Sequence, residues 1–479
     1  AQERTQGATV EEAHGAARSA GIAAQPQPGE DGFNTLFNQF RDMPISEGGA
    51  KFLDKTGLWH AETKYNFSNI VDPEKVEFIA GANVRRYDLK SEGTLFALQA
   101  DGDEFNIDEY GAYVQLSRDV IDNKLDLQGS IRYDKNEYFD GQFTPRISAV
   151  YTIAGNHNIR GSFQRGFRIP TTQTQFIDLD VVTRRLVGSN PVLRDRYNFR
   201  TNTVYRTESV QAARDSLRAG QSLSEVRQIL QPVEFEEFET EKVSTFEVGY
   251  KSLIGGKLFI DAYYYYSSYQ DFIAEIDFTQ AVDLTDTNTR DGFDPVPGFD
   301  PDSDAGQEAI IQDNVPGGRL QRYGFDVNAD GNVEAQGFAL GMEYVLDILG
   351  GGFTLGGNVT YNDLISQEDL TDQGFRASYN TPEWRYNIQL RNRRLTDQVG
   401  FNVVYRWQDA YLWESSFGEG IIPAYGSLDA QVTYSIPQIN TTIKVSGSNL
   451  LNDRHTTSFG NPLMGGIYLI SLRFDQFMN

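Results

Sequence analysis

The 479-residue sequence contains no cysteine. That excludes a disulfide framework, a thiolate metal centre and a cysteine nucleophile. It also lacks any run near the ~20 apolar residues that a membrane helix needs, and its mean hydropathy is −0.47. A helical membrane protein is therefore excluded. Basic charge is scarce. Lys and Arg number 42 against 67 Asp and Glu, which leaves a net charge of −25 and a pI near 4.6. Such a chain repels nucleic acid, and no nucleic-acid partner is expected. The acidity reads as solvated loops, with cation binding as the alternative. Only four histidines occur, His14, His60, His157 and His455. They are scattered, form no His-x-x-x-His pair, and read as polar loop or lumen residues. The N-terminus, Ala1-Gln2-Glu3-Arg4, has neither a basic stretch nor an apolar one, so no signal peptide is visible.

What is abundant points to strands. The chain has 25 Tyr, 31 Phe and 45 Gly, the residues that strand faces, interfacial girdles and tight turns consume. Period-2 alternation recurs over about ten residues at a time, the length of a tilted membrane strand. Leu125, Leu127, Gly129, Ile131 and Tyr133 oppose Asp126, Gln128, Ser130, Arg132 and Asp134. The same pattern marks Trp384–Arg391, Phe401–Gln408 and Gly426–Tyr434. The apolar face often ends in an aromatic, such as Tyr133, Tyr151, Tyr250, Tyr361, Tyr434 or Phe474. Connections alternate between short turns and long loops, the long ones at 88–106, 169–240, 272–332, 362–382, 409–424 and 449–465, with 136–142 as the exception. That segregation is the arrangement of outer-membrane barrels.

The expected fold is an all-β, antiparallel up-and-down transmembrane barrel with short helices in its outer loops. Fifteen strands are expected, at 57–69, 75–87, 107–119, 124–135, 143–153, 157–168, 241–253, 257–271, 333–347, 352–361, 383–394, 398–408, 425–435, 439–448 and 466–475. Leu125, Leu127 and Ile131 should face lipid, with Asp126, Gln128 and Arg132 facing inward. An odd count cannot close a bacterial barrel. The expected form is a partial wall, opened by an outer-loop segment over 1–56 and continued as the C-terminal part of a barrel over 57–479. Helical signals lie at Thr9 with Glu12, at Ser209 capping Val210–Ala219 before Gly220, and at the Ser222/Glu225 capping box before Pro232.

No catalytic constellation, cofactor motif or metal centre emerges, and the protein is not expected to be an enzyme. Gly350-Gly351-Gly352 is a turn, because no helix with a lysine follows it. Asp300-Pro301-Asp302-Ser303-Asp304-Ala305-Gly306 and 326–334 space oxygen ligands as a calcium loop does. Ile311 and Gly337 stand where the twelfth-position Glu belongs, so acidic turns are the leading reading. The lumen face carries Arg132, Arg146, Arg160, Arg385, Arg391 and Arg406 among Asp, Gln and Asn. No substrate-binding residue can be named.

Several segments resemble the barrel of TonB-dependent outer-membrane receptors. Gly166-Phe167-Arg168-Ile169-Pro170 resembles the motif that leaves an ascending strand for a long outer loop. The stretch from Glu241-Lys242 through Phe246–Lys251, then Leu258–Tyr265 and Tyr269–Phe272, is similar to the central hairpin. Asn449-Leu450-Leu451-Asn452 resembles the opening of the final outer loop. The alternating Tyr468, Ile470, Leu472 and Phe474 resemble the terminal assembly signal, although Asp475–Asn479 run beyond it. The resemblance implies an outer-membrane receptor and energy-coupled importer of a siderophore, vitamin, oligosaccharide or peptide. It implies about 15 of 22 strands here, with the plug and first strands absent. It also implies contact with outer-membrane lipid, a TonB-type energy-coupling complex acting through the plug, and a surface lipoprotein partner. A passive pore or surface adhesin is the alternative.

Overall fold

The computed structural model describes residues 10–23, 26–30, 32–45, 48–121, 124–181, 183–286, 293–348, 351–366, 379–415 and 418–474. Thr9, Gly350 and the 475–479 tail lie outside them. The strands run β1 (Gly57–Asn66), β2 (Glu77–Asp88), β3 (Asn106–Ile121), β4 (Leu125–Asn136), β5 (Phe139–Ile153) and β6 (His157–Arg168). Three short ones follow, β7 (Asp178–Asp180), β8 (Arg185–Val187) and β9 (Val204–Arg206). Next come β10 (Glu241–Ile254), β11 (Leu258–Gln270), β12 (Ile273–Asp283), β13 (Gly318–Asn328), β14 (Val333–Leu346) and β15 (Phe353–Leu364). The last are β16 (Trp384–Asn392), β17 (Val399–Gln408), β18 (Tyr411–Ser415), β19 (Gly418–Ile422), β20 (Tyr425–Ile436), β21 (Thr441–Ser448) and β22 (Ile467–Phe474).

Fifteen of these form one antiparallel meander, in the order β1 to β6, β10, β11, β14 to β17, and β20 to β22. All fifteen expected strands are present, with ends shifted by a few residues. β1 stops at Asn66 because its side chain accepts from Ser68 N and turns the next residues into a 3-10 helix. β21 starts late for a similar reason, with Pro437–Ile439 forming a 3-10 turn. β1 and β22 sit at opposite ends of the order, and the wall is open. Between β10 and β11, Gly255 and Gly256 take φ of 57° and 67°. Two successive positive φ values define the turn whose twist matches a hairpin, and glycine adopts them without strain.

Register turns sequence alternation into two chemically distinct faces. One row aligns Tyr250, Ala262, Leu340, Val359, Tyr386 and Trp407 across six strands. The adjacent row aligns Lys251, Asp261, Gly341, Asn358, Asn387, Arg406 and Ser427. Ile131 pairs with Val114 and belongs to the apolar face, while Arg132 opposite Tyr113 belongs to the polar one. Large apolar side chains such as Ile131, Ile147, Val432 and Ile470 stand exposed on the wall. So broad an apolar surface marks a non-aqueous neighbour.

The reading of 169–240 and 272–332 as loops needs correction, because both fold. β7, β8, β13, β12 and β9 form a second sheet in that order. β12 and β13 pair antiparallel along their whole length, and β8 joins β13 in parallel. Helices Thr172–Phe176, Pro191–Arg196, Thr207–Arg218, Leu223–Val226 and Asp304–Gln312 pack around this sheet. The helix expected from Val210 begins three residues earlier. Ser209 donates to the Arg206 carbonyl and so does not act as the cap. The Ser222/Glu225 capping box forms as expected.

This cap holds the conventional hydrophobic core that a lipid-facing wall lacks. Phe176, Leu193, Tyr197, Phe199, Phe278, Tyr323 and Phe325 are buried together. The 89–105 connection contributes to it, with Phe105 stacked on Phe176 at 4.4 Å. Each such ring buries 150–250 Å² by the general scale of aromatic side chains, roughly, and edge-to-face pairs add about 1 kcal/mol each. Phe199 makes edge-to-face contacts with Phe278, Tyr323 and Phe325.

Charges are buried within that core as well. Arg185 Nε and Tyr197 OH both donate to Asp178 Oδ1 at 2.7 Å. Arg184 pairs with Glu275 and Asp277. Asp326 lies opposite Glu275 in the β12–β13 register. Burial pushes its carboxyl up to about 6, and Glu275 adds to this, while Thr174, Arg168 and Arg184 act the other way.

Two predictions follow from this architecture. Ile131 is central in β4, whereas Leu127 stands near the short-turn rim, so arginine should be costlier at Ile131. The expected losses in lipid-refolded protein are about 2–4 kcal/mol for Ile131→Arg and about 1 or less for Leu127→Arg. Equal losses at both sites would contradict this placement. For Asp326, the folded pKa lies above the ordinary 3.8. Its contribution is complete below that value and is lost as pH rises towards about 6. The cap should therefore resist protease better at about pH 5 than at about pH 7.5, and Asp326→Asn should flatten the difference.

Candidate ligand-binding site

The polar face and the cap supply the two sets of groups that a solute would meet. On the polar face, arginines are matched to carboxylates along and across the strands. Arg160 donates to Asp261 at 2.9 Å and to Glu247 at 3.3 Å. Arg391 donates to Glu343 at 2.9 Å, Arg132 to Asp134 at 2.7 Å, and Arg406 pairs with Asp429. Register places Arg146 and Arg385 on the same face, opposite Gln164 and Gln408 respectively. A cavity of about 290 Å³ opens between Glu62, Asn83, Arg85, Glu109, Arg132 and Asp134.

The histidines remain apart. His60 is on the polar face beside Glu62, at 3.9 Å, and His455 stacks on Tyr425 at 3.7 Å. His157 departs from the lumen reading. It shares the face of Ile159 and contacts the Tyr250 hydroxyl at 2.6 Å, at the short-turn rim.

The two acidic stretches are engaged by the protein itself. Asp302 accepts from Thr203 Oγ1 at 2.8 Å and from Tyr205 OH at 3.2 Å. Ser303 caps the Asp304–Gln312 helix through Gly306 N, and Arg227 bridges Asp304 and Glu308. The sequence reading missed this helix. Asp326 and Asn328 belong to β13 and not to a loop, which removes the calcium-loop spacing from that segment. Asn328 instead clamps the cap to its root. Its Nδ2 donates to the Asp271 carbonyl at 2.7 Å, and its Oδ1 accepts from Glu239 N at 2.8 Å.

Beside that clamp lies a cleft of about 280 Å³, lined by Arg194, Arg206, Val233, Glu234, Glu236, Glu237, Phe238, Ile276, Val327 and Asp330, among others. It sits where the returning chain enters β10 and where β13 leads to β14. Of its two arginines, Arg194 is buried and Arg206 half-buried. Burial lowers the Arg194 pKa to about 10, with Arg200 adding to the effect against Asp195 and Glu237. Burial likewise lowers Arg206, against Glu208 and Asp330. Sequence reading singled out only the 326–334 part of this cleft, as an acidic turn, and none of its arginines or glutamates. The available signal was the run Glu234-Phe235-Glu236-Glu237-Phe238-Glu239, charges alternating with rings directly before a strand.

The geometry has counterparts among known proteins. Residues 16–450 match the family model described as TonB dependent receptor-like, beta-barrel. The siderophore receptor PirA from Acinetobacter baumannii superposes with a TM-score of 0.54 at 12% identity, over 89% of this chain and 56% of that one. PirA from Pseudomonas aeruginosa gives 0.52 at 13%, over 88% and 55%. The FrpB iron transporter from Neisseria meningitidis gives 0.52 at 12%, over 88% and 55%. The chain thus spans a little over half the length of each, and at such identity the likeness is one of fold. No curated protein sequence matches. With the family model covering most of the chain and the fold agreeing, the protein belongs to the TonB-dependent receptor-like β-barrel family.

Proposed function

We propose that the chain is the barrel portion of an outer-membrane receptor that imports a scarce solute by energy coupling. The observation that carries this reading is the cap. Two long connections from one rim combine into a folded body with its own core and enclose a cleft above a polar-faced wall. A passive pore has no need of such a body. Solved neighbours of the same fold are siderophore receptors, one of them described in complex with enterobactin. Siderophores, vitamins, oligosaccharides and peptides are thus the substrate classes to test.

In this reading the long loops are extracellular and the apolar face meets outer-membrane lipid. Residues 48–56 lie on the same outer rim. This is supported by Lys51 pairing with Glu92 at 2.7 Å and by Leu53 N donating to Thr94 at 2.8 Å. Energy enters through a TonB-type complex acting on a plug within the barrel.

The test is uptake by cells expressing the complete receptor, with and without a protonophore. Collapse of the proton gradient should abolish uptake and leave surface binding intact. Uptake that continues unchanged would favour the passive pore. Binding without any uptake would favour an adhesin.

A further inference from the structure

The cleft at the cap root carries a charge arrangement that specifies more than an importer. Arg194 is 1% exposed in its wall. The guanidinium donates to the Glu236 carbonyl, lies 5.6 Å from the Phe325 ring centroid, and has an Nε–H with no acceptor. Among the described residues no carboxylate comes within ion-pair distance of it. A buried guanidinium offers five donors, and an unmatched buried donor is costly, so this one is set to receive an acceptor. Around it the polarity reverses, and the second arginine, Arg206, is half-buried and offset by Glu208 and Asp330. Glu234, Glu236, Glu237 and Asp330 are exposed at the margin of the cleft, while Val233, Ile276 and Val327 supply apolar wall.

A purely anionic solute would satisfy Arg194 and be repelled by four carboxylates. A purely cationic one would be drawn to the margin and leave the buried arginine unmatched. A zwitterion satisfies both. The volume, about 280 Å³, stands just below the usual range of about 300–1,000 Å³ for ligand pockets. It suits one residue and not a whole polymer. The surrounding field agrees in sign: segments 169–240 and 272–332 together hold 23 acidic and 12 basic residues. Such an imbalance concentrates cations at the surface.

We infer that this cleft binds the C-terminal residue of a basic peptide. The α-carboxylate meets the Arg194 guanidinium, and the aliphatic stem of a lysine lies along Val233, Ile276 and Val327. The lysine ammonium sits among Glu234, Glu237 and Asp330. Long cationic side chains pack their stems on apolar surface while the head stays polar, which is the pattern this wall requires. The inference rests on the import reading and narrows its substrate class.

The experiment is calorimetric titration of the complete receptor chain in detergent micelles with Gly-Gly-Lys, its C-terminal amide and Gly-Gly-Glu. Gly-Gly-Lys should bind. Amidation should weaken binding about tenfold or more, and Gly-Gly-Glu should bind more weakly still. Arg194→Gln should reproduce the loss seen on amidation. Because Arg194 also supports the cap, the exposed pair Glu234→Gln/Glu237→Gln serves as an independent variant. It should weaken Gly-Gly-Lys about tenfold and leave cap proteolysis unchanged. Equal affinity for the amide, or tighter binding of Gly-Gly-Glu, would overturn the inference. Failure of all three peptides in a receptor that imports another solute would overturn it too, and would leave the import reading standing. Peptide binding with uptake insensitive to a protonophore would do the reverse.

Discussion

The structure depends on one constraint: a backbone N–H or C=O in hydrocarbon must find its partner inside the protein. Each unmatched group costs several kcal/mol there, so a sheet that crosses lipid must pair every strand with its neighbours. The fifteen-stranded meander does this from β2 through β21. Once pairing is continuous, alternation follows, since a slip of one residue would exchange the two faces. Tyr386 must then lie beside Val359 and Trp407, and Asn387 beside Asn358 and Arg406. The wall needs no interior core, which is why so many of its large apolar residues remain exposed.

Where the chain leaves the wall, the solvent reverses and so does the packing. Segments 169–240 and 272–332 enter water, where apolar side chains gain by burial against one another. Neither segment could assemble that core alone. Phe199 comes from the first, Phe278 and Phe325 from the second, and Phe105 from the connection before β3. Pooling them fixes the loops relative to one another. The buried Asp178–Arg185–Tyr197 and Arg184–Glu275–Asp277 groups then set the register of β7, β8, β12 and β13.

The wall was legible in the sequence because lipid imposes a strict period over long segments. Leu125 to Tyr133 could be assigned strand and face from alternation alone. The cap was not legible for local reasons. β12 alternates as well as many wall strands do, with Ala274, Ile276 and Phe278 against Glu275, Asp277 and Thr279. Its partner β13 lies beyond residues 284–317, and its acidic positions resemble a turn. β7, β8 and β9 have three residues each, too few to show a period. The burial of Arg194 has no sequence signature either. It arises from Phe325 and the Glu236 carbonyl, brought to it from two other parts of the chain.

The two polar regions differ in how their charges are matched. In the wall, Arg132, Arg160, Arg391 and Arg406 each meet a carboxylate from their own strand or from one no more than two strands away. On the import reading, a solute moving along that face meets mostly matched charges, with Arg146 and Arg385 lying opposite Gln164 and Gln408. At the cap root, Arg194 is dehydrated and meets no carboxylate among the described residues, while the carboxylates around it stay in water. An unmatched buried charge favours a ligand that completes it far more than a matched pair does. On the import reading proposed above, selectivity then belongs at the cap, and the wall holds a polar solute less tightly.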